Sequence, residues 1–381
     1  MQTSVGSQDK IALFAFRKSQ KVFFDKILHH CYDQNIELIS SKNSFLLSLK
    51  ALRHLKNKHL KDACDFAIDE FYAKTKFQIP KILLVGYFKF FSIINFLRYY
   101  AALDDGYTKM LIWNGGKFRQ IIAIEVARLK RIKVYFFENG LLPHTIVFDE
   151  NGINYNNSVP RNKSFFQHYK TDVVLPTSLV PRVGKDRDIF KGKKATLPEK
   201  YIFIPFQVDY DTQIISHSHW IKNMRILFNL IENVSKYSTY HFIMKEHPSS
   251  SVEYLDLHER VERIKNVSFK NSHTTQELIE NSLAVLTINS TVGIESLLFH
   301  KKVIVLGDAF YKIDGITYGV QDEKELISMI DKIEQLELDE ALVDNFLKYL
   351  YNDYLVPKND EMYNIFCQKM LKNKLTISVK G

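Results

Sequence analysis

The apolar residues of this 381-residue chain fall into short, nearly continuous runs that alternate with longer stretches of helical repeat. The runs predict strands, which in the first half of the chain cover residues 10–16, 36–40, 81–88, 109–116 and 133–140. In the second half they cover residues 201–207, 240–247, 266–271, 284–289 and 302–307. Strands covered on both faces have this continuous apolar character, and their alternation with helices predicts βαβ units and parallel sheets.

The stretches between the runs carry apolar side chains every three or four residues, as in 219–236, which predicts helices. The other predicted helices cover 18–33, 43–75, a stretch from the end of strand 81–88 to about 102, the interval between strands 109–116 and 133–140, 322–336, 339–351 and 360–373. Residues 150–198, rich in Asn, Gly, Lys and Pro, read as loop and linker.

The resulting fold class is α/β, with two Rossmann-like domains facing across a cleft in the GT-B arrangement. We place the first domain at residues 1–190, the second at 191–355, and a C-terminal helix that packs back on the first domain at 356–381. Ligands of such sheets bind beyond the carboxyl ends of the strands. The residues that directly follow each strand are therefore the candidates for chemistry.

The charge balance is basic, with 52 Lys and Arg against 43 acidic residues and a net charge of +9. This surplus favours polyanions, acidic small molecules or an anionic lipid surface, and it is equally consistent with a lysine-rich solvated surface. No nucleic-acid-binding motif accompanies it, so no nucleic-acid partner is predicted.

The cysteines and the apolar segments indicate the cellular compartment. Cys31, Cys64 and Cys367 have no CxxC spacing, which predicts neither a disulfide framework nor a zinc site and favours a reducing compartment. The N-terminus has no signal-peptide pattern, and no apolar run approaches the roughly 18 residues of a membrane span. The apolar stretch 87–100 reads either as a buried helix or as a membrane contact.

In the first domain, the strand-following residues are Asn114 and the run Glu138, Asn139 and Gly140. Glu138 closes the apolar stretch VYFFENG, where a glutamate is either a solvated strand end or a carboxylate held for a substrate. In the second domain, Gln207 begins the run QVDYD, whose acids Asp209 and Asp211 share one strand face if the run is extended.

Two further segments of the second domain follow strands. Lys245, His247 and Pro248 end one strand, where the proline fixes the chain and the two basic side chains share a face able to meet a phosphate or carboxylate. The other segment is Asn289, Ser290 and Thr291, followed by a helix that contains Glu295. Its hydroxyl residues cap a helix whose N-terminus can seat a phosphate, and Glu295 can reach a ribose hydroxyl. The alternatives are an ordinary capped helix for Ser290 and Thr291, a solvent-exposed side chain for Glu295, and a purely structural role for His247.

Four strings resemble the capsule polysaccharide proteins of the KpsS and KpsC type, which are bacterial β-Kdo transferases. The strings are FFENGLLPHTIVFDENGINYNNSVPR, PFQVDYDTQI, KEHPSS and LTINSTVGIESLLFHKKVIVLGDAFY. They span about residues 110 to 315, and the single-module length is closer to KpsS-like proteins. The E-x-G, His-Pro and Ser-Thr motifs are also similar to those of GT-B sialyltransferases, another group that uses CMP-sugars.

The resemblance implies a retaining β-Kdo transferase that uses CMP-β-Kdo as donor substrate, with no other cofactor and no metal. It implies Asp211 as nucleophile, Glu138 as acid/base, His247 as a contact of the CMP phosphate, and Ser290 and Thr291 near the donor phosphate or carboxylate. The first domain then binds the acceptor and the second binds the donor. Asn157, Ser158 and Arg161 lie in a family segment without an assigned role, and Arg161 is a candidate partner for an anionic donor or a lipid phosphate.

A KpsS-like protein is expected to add the first Kdo to (lyso)phosphatidylglycerol and so start the poly-Kdo linker of a capsule. The implied location is cytoplasmic, peripheral on the inner face of the bacterial inner membrane, with other capsule biosynthesis or export proteins as partners. Alternatives are another CMP-sugar transferase, either sialyltransferase-like or extending a Kdo chain, and a non-catalytic scaffold of capsule export.

Overall fold

The structure is a computed structural model that describes residues 9–31, 35–41, 46–75, 77–103, 106–181 and 188–371. Its strands are β1 (Lys10–Ala15), β2 (Ile36–Ser40), β3 (Tyr107–Trp113), β4 (Lys133–Asn139), β5 (Thr145–Asp149), β6 (Tyr201–Pro205), β7 (His241–Lys245), β8 (Val267–Phe269), β9 (Ala284–Thr287), β10 (Lys302–Val305), β11 (Tyr318–Gly319) and β12 (Leu355–Pro357). Its α-helices are α1 (Lys18–His30), α2 (Asn57–Lys74), α3 (Lys81–Ala102), α4 (Phe118–Leu129), α5 (Lys163–His168), α6 (Thr212–His217), α7 (Met224–Ser235), α8 (Leu255–Val261), α9 (Thr275–Glu280), α10 (Thr291–Leu297), α11 (Glu323–Asp331), α12 (Glu340–Tyr349) and α13 (Met362–Leu371).

The strands form two six-stranded sheets. The first has the order β12-β5-β4-β3-β1-β2, in which β1 to β4 are parallel, β5 runs antiparallel to β4, and β12 runs antiparallel to β5. The second has the order β11-β10-β9-β6-β7-β8 and is parallel throughout. The inner strands β1 and β6 are buried along almost their whole length. The predicted fold class of two Rossmann-like domains facing across a cleft is confirmed.

The end of the chain returns to the first sheet. Strand β12 pairs with β5, and α13 packs on α1 and β12. Helix α12 contacts α5 of the linker region and α10 of the second half, so one hydrophobic cluster runs from the first sheet through α5 to α12. This packing holds the two sheets against each other.

One predicted strand is wrong, because residues 81–88 form the first turns of α3. The apolar run KILLVGYF has strand-like composition, but it continues without a turn signal into the helix that ends at Ala102. A run of this kind cannot be assigned to strand or helix by periodicity alone. The sheet takes Tyr107–Trp113 as the neighbour of β1 instead.

The cysteine prediction is also wrong at one pair. Cys31 follows α1, Cys367 lies in α13, and the two form a disulfide with their Cα atoms 5.9 Å apart. The pairing joins residues 336 positions apart in sequence, and it arises because α1 and α13 pack side by side on the first sheet. Spacing along the chain gives no sign of such a contact. Cys64 is free and buried.

Candidate active site

Glu138 lies at the carboxyl end of β4, and its carboxylate is held by amide groups. Oε2 accepts a hydrogen bond from Nδ2 of Asn114 at 2.7 Å, and Oε1 accepts one from the backbone N–H of Asn139 at 2.8 Å. Gly140 then continues into the tight connection to β5, where an added Cβ would lie 1.9 Å from Oγ1 of Thr145. The glycine therefore allows the connection, and the two amides fix the direction of the acid.

The loop after β3 supports this arrangement. Asn114 has a φ of 70°, a left-handed conformation that asparagine tolerates better than most residues. Its Oδ1 accepts from the backbone N–H of Gly116 at 2.9 Å, so the side chain braces its own loop while it holds Glu138. A Cβ on Gly116 would lie 2.9 Å from Cγ2 of Thr212, which belongs to the second domain. The loop that orients Glu138 thus touches the start of α6.

Asp211 is the N-cap of α6. Its Oδ1 accepts from the backbone N–H of Gln213 at 2.9 Å and from the hydroxyl of Thr212 at 3.3 Å, and the residue is exposed. Both of these bonds use the same carboxylate oxygen. The capping bond fixes the acid at the edge of the cleft while part of it faces solvent.

Glu138 and Asp211 come from different domains, and the loop that holds Glu138 touches Thr212, the residue after Asp211. Burial, which disfavours the charged carboxylate, is the main cause that raises the pKa of Glu138, and the negative charge of Asp211 adds to the rise. The bonds from Asn139 and Asn114 act in the opposite direction. The contact of Gly116 with Thr212 therefore brings one acid from each domain to the same part of the domain interface.

Asp209, the other acid of the QVDYD run, has a different position. It is buried, with Oδ1 accepting from the backbone N–H of Met224 at 2.7 Å and Oδ2 from the hydroxyl of Tyr254 at 3.0 Å. It therefore connects the loop after β6 to the start of α7, and the prediction that both acids share one strand face is wrong. The chain turns between them, as the bond from the N–H of Asp211 to the carbonyl of Val208 shows.

Gln207 and Asn289 are predicted donor-binding residues, and both are buried against each other. Nε2 of Gln207 donates to Oδ1 of Asn289 at 3.0 Å, and Nδ2 of Asn289 donates to the carbonyl oxygens of Gln213 and His217. These amides tie the end of β6 to the end of β9 and hold α6. They therefore help to fix the position of Asp211, which caps α6.

Lys245 and Pro248 line a cavity of about 480 Å³ beside the carboxyl ends of β7 and β8. Nζ of Lys245 donates to the carbonyl of Asn271 and lies 5.0 Å from the ring centroid of Phe190. Burial lowers the pKa of Lys245 to about 8. Nδ1 of His247 accepts from the backbone N–H of Ser249 at 3.1 Å, and the ring is half-buried.

Glu295, from α10, also lines this cavity, as do Thr274, Thr275 and Gln276 at the start of α9. Ser290 caps α10 by accepting from the backbone N–H of Val292 at 3.2 Å, and Thr291 is the first helical residue. The cavity therefore combines one lysine with three carboxylates, those of Glu277, Glu280 and Glu295, and several small polar groups, which suits a polar ligand such as a nucleoside.

The segment from Asn157 to Arg161 is bound to its own loop. Arg161 donates to Oδ1 of Asn157 at 2.8 Å and to the carbonyl oxygens of Tyr155 and Val159, while the N–H and hydroxyl of Ser158 both donate to Asp149. These bonds fold the residues after β5 against α6, where the ring of Tyr155 lies 5.4 Å from that of His217. The geometry gives Arg161 a role in holding this loop.

Sequence reasoning missed Lys117, which follows the Asn114 loop. Its Nζ donates to Oε1 of Glu70 in α2 at 2.9 Å and to the carbonyl of Tyr210 at 3.0 Å. Lys117 thus links the first domain to the residue before Asp211. The sequence does indicate Lys117 as a candidate, because it directly follows the predicted strand 109–116.

A second cavity, of about 710 Å³, opens between the domains. It is lined on one side by Asp69, Tyr72 and Lys74 of α2 and on the other by Lys222 and Arg225 at α7. Among the described residues, no group of three or more His, Cys, Asp or Glu side chains is placed to hold a metal ion.

Comparison with known proteins identifies the family. The model of the capsule polysaccharide biosynthesis protein family matches residues 109–186 and 177–357, which include the residues that follow β3, β4, β6, β7 and β9. The chain belongs to this family. The resemblance of the four sequence strings to KpsS and KpsC-type proteins is therefore confirmed at the level of the family.

The chain is also similar in sequence to individual curated proteins. The chain is 35% identical to protein FixF of Sinorhizobium fredii, over 65% of this chain and 60% of that protein. It is 24% identical to the capsule polysaccharide export protein KpsS of Escherichia coli, over 50% of this chain and 65% of that protein. The chain thus spans less than two thirds of the length of either relative.

Among solved structures, the chain is similar to KpsC of Thermosulfurimonas dismutans, described as a beta Kdo 2,7 transferase. The TM-score is 0.49 with 15% sequence identity, over 95% of this chain and 99% of the other. A UDP-N-acetylglucosamine 2-epimerase is also similar, with a TM-score of 0.35 and 12% identity over 96% of both chains.

Proposed function

We propose that this capsule-family protein is a retaining glycosyltransferase that moves Kdo from CMP-β-Kdo to an anionic glycerophospholipid. The observation that carries the proposal is the contact of the Asn114–Gly116 loop, which holds Glu138, with Thr212, the residue after Asp211. This contact brings one acid from each domain to the same part of the domain interface. Transfer through an oxocarbenium-like transition state with retention uses a pair of carboxyl groups of this kind. The identity of the sugar rests on the four strings that resemble KpsS and KpsC-type proteins.

In this proposal Asp211 is the nucleophile. Its exposed carboxylate attacks the anomeric carbon of Kdo, the bond to the phosphate of CMP breaks, and a covalent Kdo–Asp211 ester forms. The helix-capping bond to Gln213 holds the attacking group in one orientation. Lys245 and His247 then meet the charge on the leaving CMP, and the cavity beside Lys245 takes the nucleoside, with Glu295 near the ribose.

Glu138 is the acid/base of the second step. The acceptor hydroxyl attacks the anomeric carbon, the bond to Asp211 breaks, and Glu138 takes the proton of the hydroxyl. Because burial raises the pKa of Glu138, its carboxylate is a stronger base than an exposed glutamate. Asn114 and Asn139 hold the carboxylate towards the cleft.

The biological setting is part of the same proposal. The protein would act at the cytoplasmic face of the inner membrane, adding the first Kdo to (lyso)phosphatidylglycerol and handing the product to other capsule proteins. Family membership and the basic net charge of +9 support this setting.

The test is incubation of the full chain with CMP-Kdo and lysophosphatidylglycerol, followed by mass spectrometry of the lipid. We expect a lipid carrying one Kdo, together with an equal amount of CMP. Parallel reactions offer CMP-sialic acid as donor or a Kdo-bearing lipid as acceptor. Preference for either would assign the chain to sialyl transfer or chain extension. A folded protein that gives no product with any pair would support the scaffold function instead.

A further inference from the structure

Helices α2 and α3 form a hairpin whose outer end carries exposed apolar side chains. We call residues 72–75 and 77–91 the hairpin tip. Of the 22 large hydrophobic side chains that are exposed in the described part of the chain, nine belong to the tip, which is far more than its length predicts. They are Tyr72, Phe77, Ile79, Ile82, Leu83, Val85, Tyr87, Phe90 and Phe91. A concentration of this kind marks an interaction surface, whereas single exposed apolar residues do not.

The tip is anchored by the second half of α3. Phe96 and Tyr99 are fully buried, and Arg98 donates to the carbonyl of Ser41 at 3.0 Å. Before Ser92 most of the helix is exposed, and the eleven residues 81–91 extend about 16 Å along the helix axis at the usual rise per residue. The first half of α3 therefore presents an exposed apolar surface on a fixed base.

No uninterrupted apolar run of membrane-spanning length is expected from the sequence, but helix α3 as a whole, lysine and arginine included, has the length and composition of a membrane span, alone among the helices of the described residues. Crossing a bilayer would require Phe96 and Tyr99 to leave the core, because the hydrocarbon layer is about 30 Å thick. The exposed half is long enough only to enter one leaflet. The geometry therefore suits partial insertion.

The charges around the tip select an anionic surface. Lys81 and Lys89 are exposed among the apolar side chains, and the sequence has no Asp or Glu from residue 71 to residue 103. Lys74, at the base of the tip, is paired with Glu70 at 2.8 Å. Lysines at the rim of an inserted apolar surface lie at the depth of lipid headgroups. A second copy of the chain would instead bring two sets of lysines together.

The tip is continuous with the interdomain cleft. Tyr72, Lys74 and Thr75 line the cavity of about 710 Å³ between the domains. Nζ of Lys74 lies 5.0 Å from the ring centroid of Tyr210, the residue before Asp211. A surface bound at the tip is therefore beside the mouth of the candidate active site.

We propose that the hairpin tip inserts into one leaflet of an anionic phospholipid bilayer and turns the interdomain cavity towards the membrane. A lipid acceptor then reaches the cleft past Tyr72 and Lys74 without leaving the membrane. This last step rests on the proposed transfer to a lipid, whereas the docking of the tip stands on the exposed surface alone.

The experiment measures co-sedimentation of the full chain with two kinds of vesicle. One is phosphatidylcholine alone, and the other also contains about 30% phosphatidylglycerol, comparable to a bacterial share of anionic lipid. We expect binding to the anionic vesicles that weakens with salt. The double variant Leu83→Asp, Phe90→Asp should lose tenfold or more of this binding, since charges are then placed in the acyl region. The pair Lys81→Gln, Lys89→Gln should lose on the order of fivefold per lysine, and only with anionic vesicles.

Val174→Asp is the matched control, because Val174 is 82% exposed and lies in the linker, away from the tip. It should bind like the parent. Unchanged binding of the Leu83/Phe90 variant would overturn the proposal, as would equal binding to neutral vesicles. Loss of self-association in that variant, seen by analytical ultracentrifugation without loss of vesicle binding, would assign the tip to a second copy and also overturn it.

A water-soluble short-chain acceptor separates this proposal from the proposed function. We expect the Leu83/Phe90 variant to transfer Kdo to that acceptor like the parent and to fail with acceptor embedded in vesicles. A parent that binds anionic vesicles through the tip but transfers to no acceptor would remove the proposed activity and leave the docking surface in place.

Discussion

The carboxyl edges of the two sheets carry the same kinds of polar residue but use them differently. At the first sheet, Asn114 and Asn139 both direct hydrogen bonds to one acid, Glu138, which faces the cleft. At the second sheet, Gln207 and Asn289 are buried and bond to each other and to backbone carbonyls. A polar residue after a strand is therefore a candidate site residue only when its hydrogen bonds within the protein leave part of its side chain exposed to solvent.

The same contrast between a buried and an exposed side chain appears in one loop, between Asp209 and Asp211. Asp209 is buried, and each of its oxygens accepts from a donor inside the second domain. Asp211 is exposed and bonds through one oxygen to the helix it caps. We therefore expect the first acid to act on stability and the second on activity.

The largest expected effect is on transfer. Asp211→Asn should remove the nucleophile and Glu138→Gln the acid/base, and each should lower the rate of Kdo transfer on the order of 10²–10⁴-fold. In Glu138→Gln the intact mass should rise by one Kdo when donor is added without acceptor, because the first step still proceeds. The measurements are product formation and intact-protein mass.

Glu334→Gln is the matched control for these acids, since Glu334 bonds to Lys200 and Tyr240 on the outside of the second domain. It should transfer at the parent rate. Parent-like activity of Asp211→Asn would exclude Asp211 as nucleophile and would return the scaffold function to consideration.

A smaller effect separates the two aspartates by stability. Asp209→Ala leaves the N–H of Met224 and the hydroxyl of Tyr254 buried without their acceptor, which should lower the free energy of unfolding by about 2–4 kcal/mol. Asp211→Ala removes only a helix cap, at about 1 kcal/mol. Denaturation in urea measures both. Equal losses would show that the comparison within this loop is wrong.

The smallest effect concerns pH. Because burial lowers the pKa of Lys245 to about 8, its ammonium is charged below that pH and loses its proton above it. The affinity for CMP should therefore fall as pH rises from 7 to 9, by about tenfold if one charge-assisted hydrogen bond is lost. Lys245→Arg keeps its charge over this range, so its affinity should stay level. A parent curve as flat as that of the arginine variant would place Lys245 outside the donor site.

The sequence was least informative where long-range packing decides. The stretch 87–100 left buried helix and membrane contact open, and the structure divides the helix, with Phe90 exposed and Phe96 buried. The disulfide between Cys31 and Cys367 depends on the packing of α1 against α13. The bonds of Arg161 to its own loop depend on a turn that no residue pattern specified.

Apolar runs and turn residues act over a few positions along the chain, so the sequence was enough to predict the α/β alternation, most of the strands with the residues that follow them, and the resemblance to the capsule family. Only the folded structure shows which polar side chains after a strand have all their hydrogen bonds inside the protein and which remain exposed. It also shows which half of α3 is buried. Burial and hydrogen bonding of a side chain depend on neighbours far away in the chain, as Asp209 owes its state to Met224 and Tyr254.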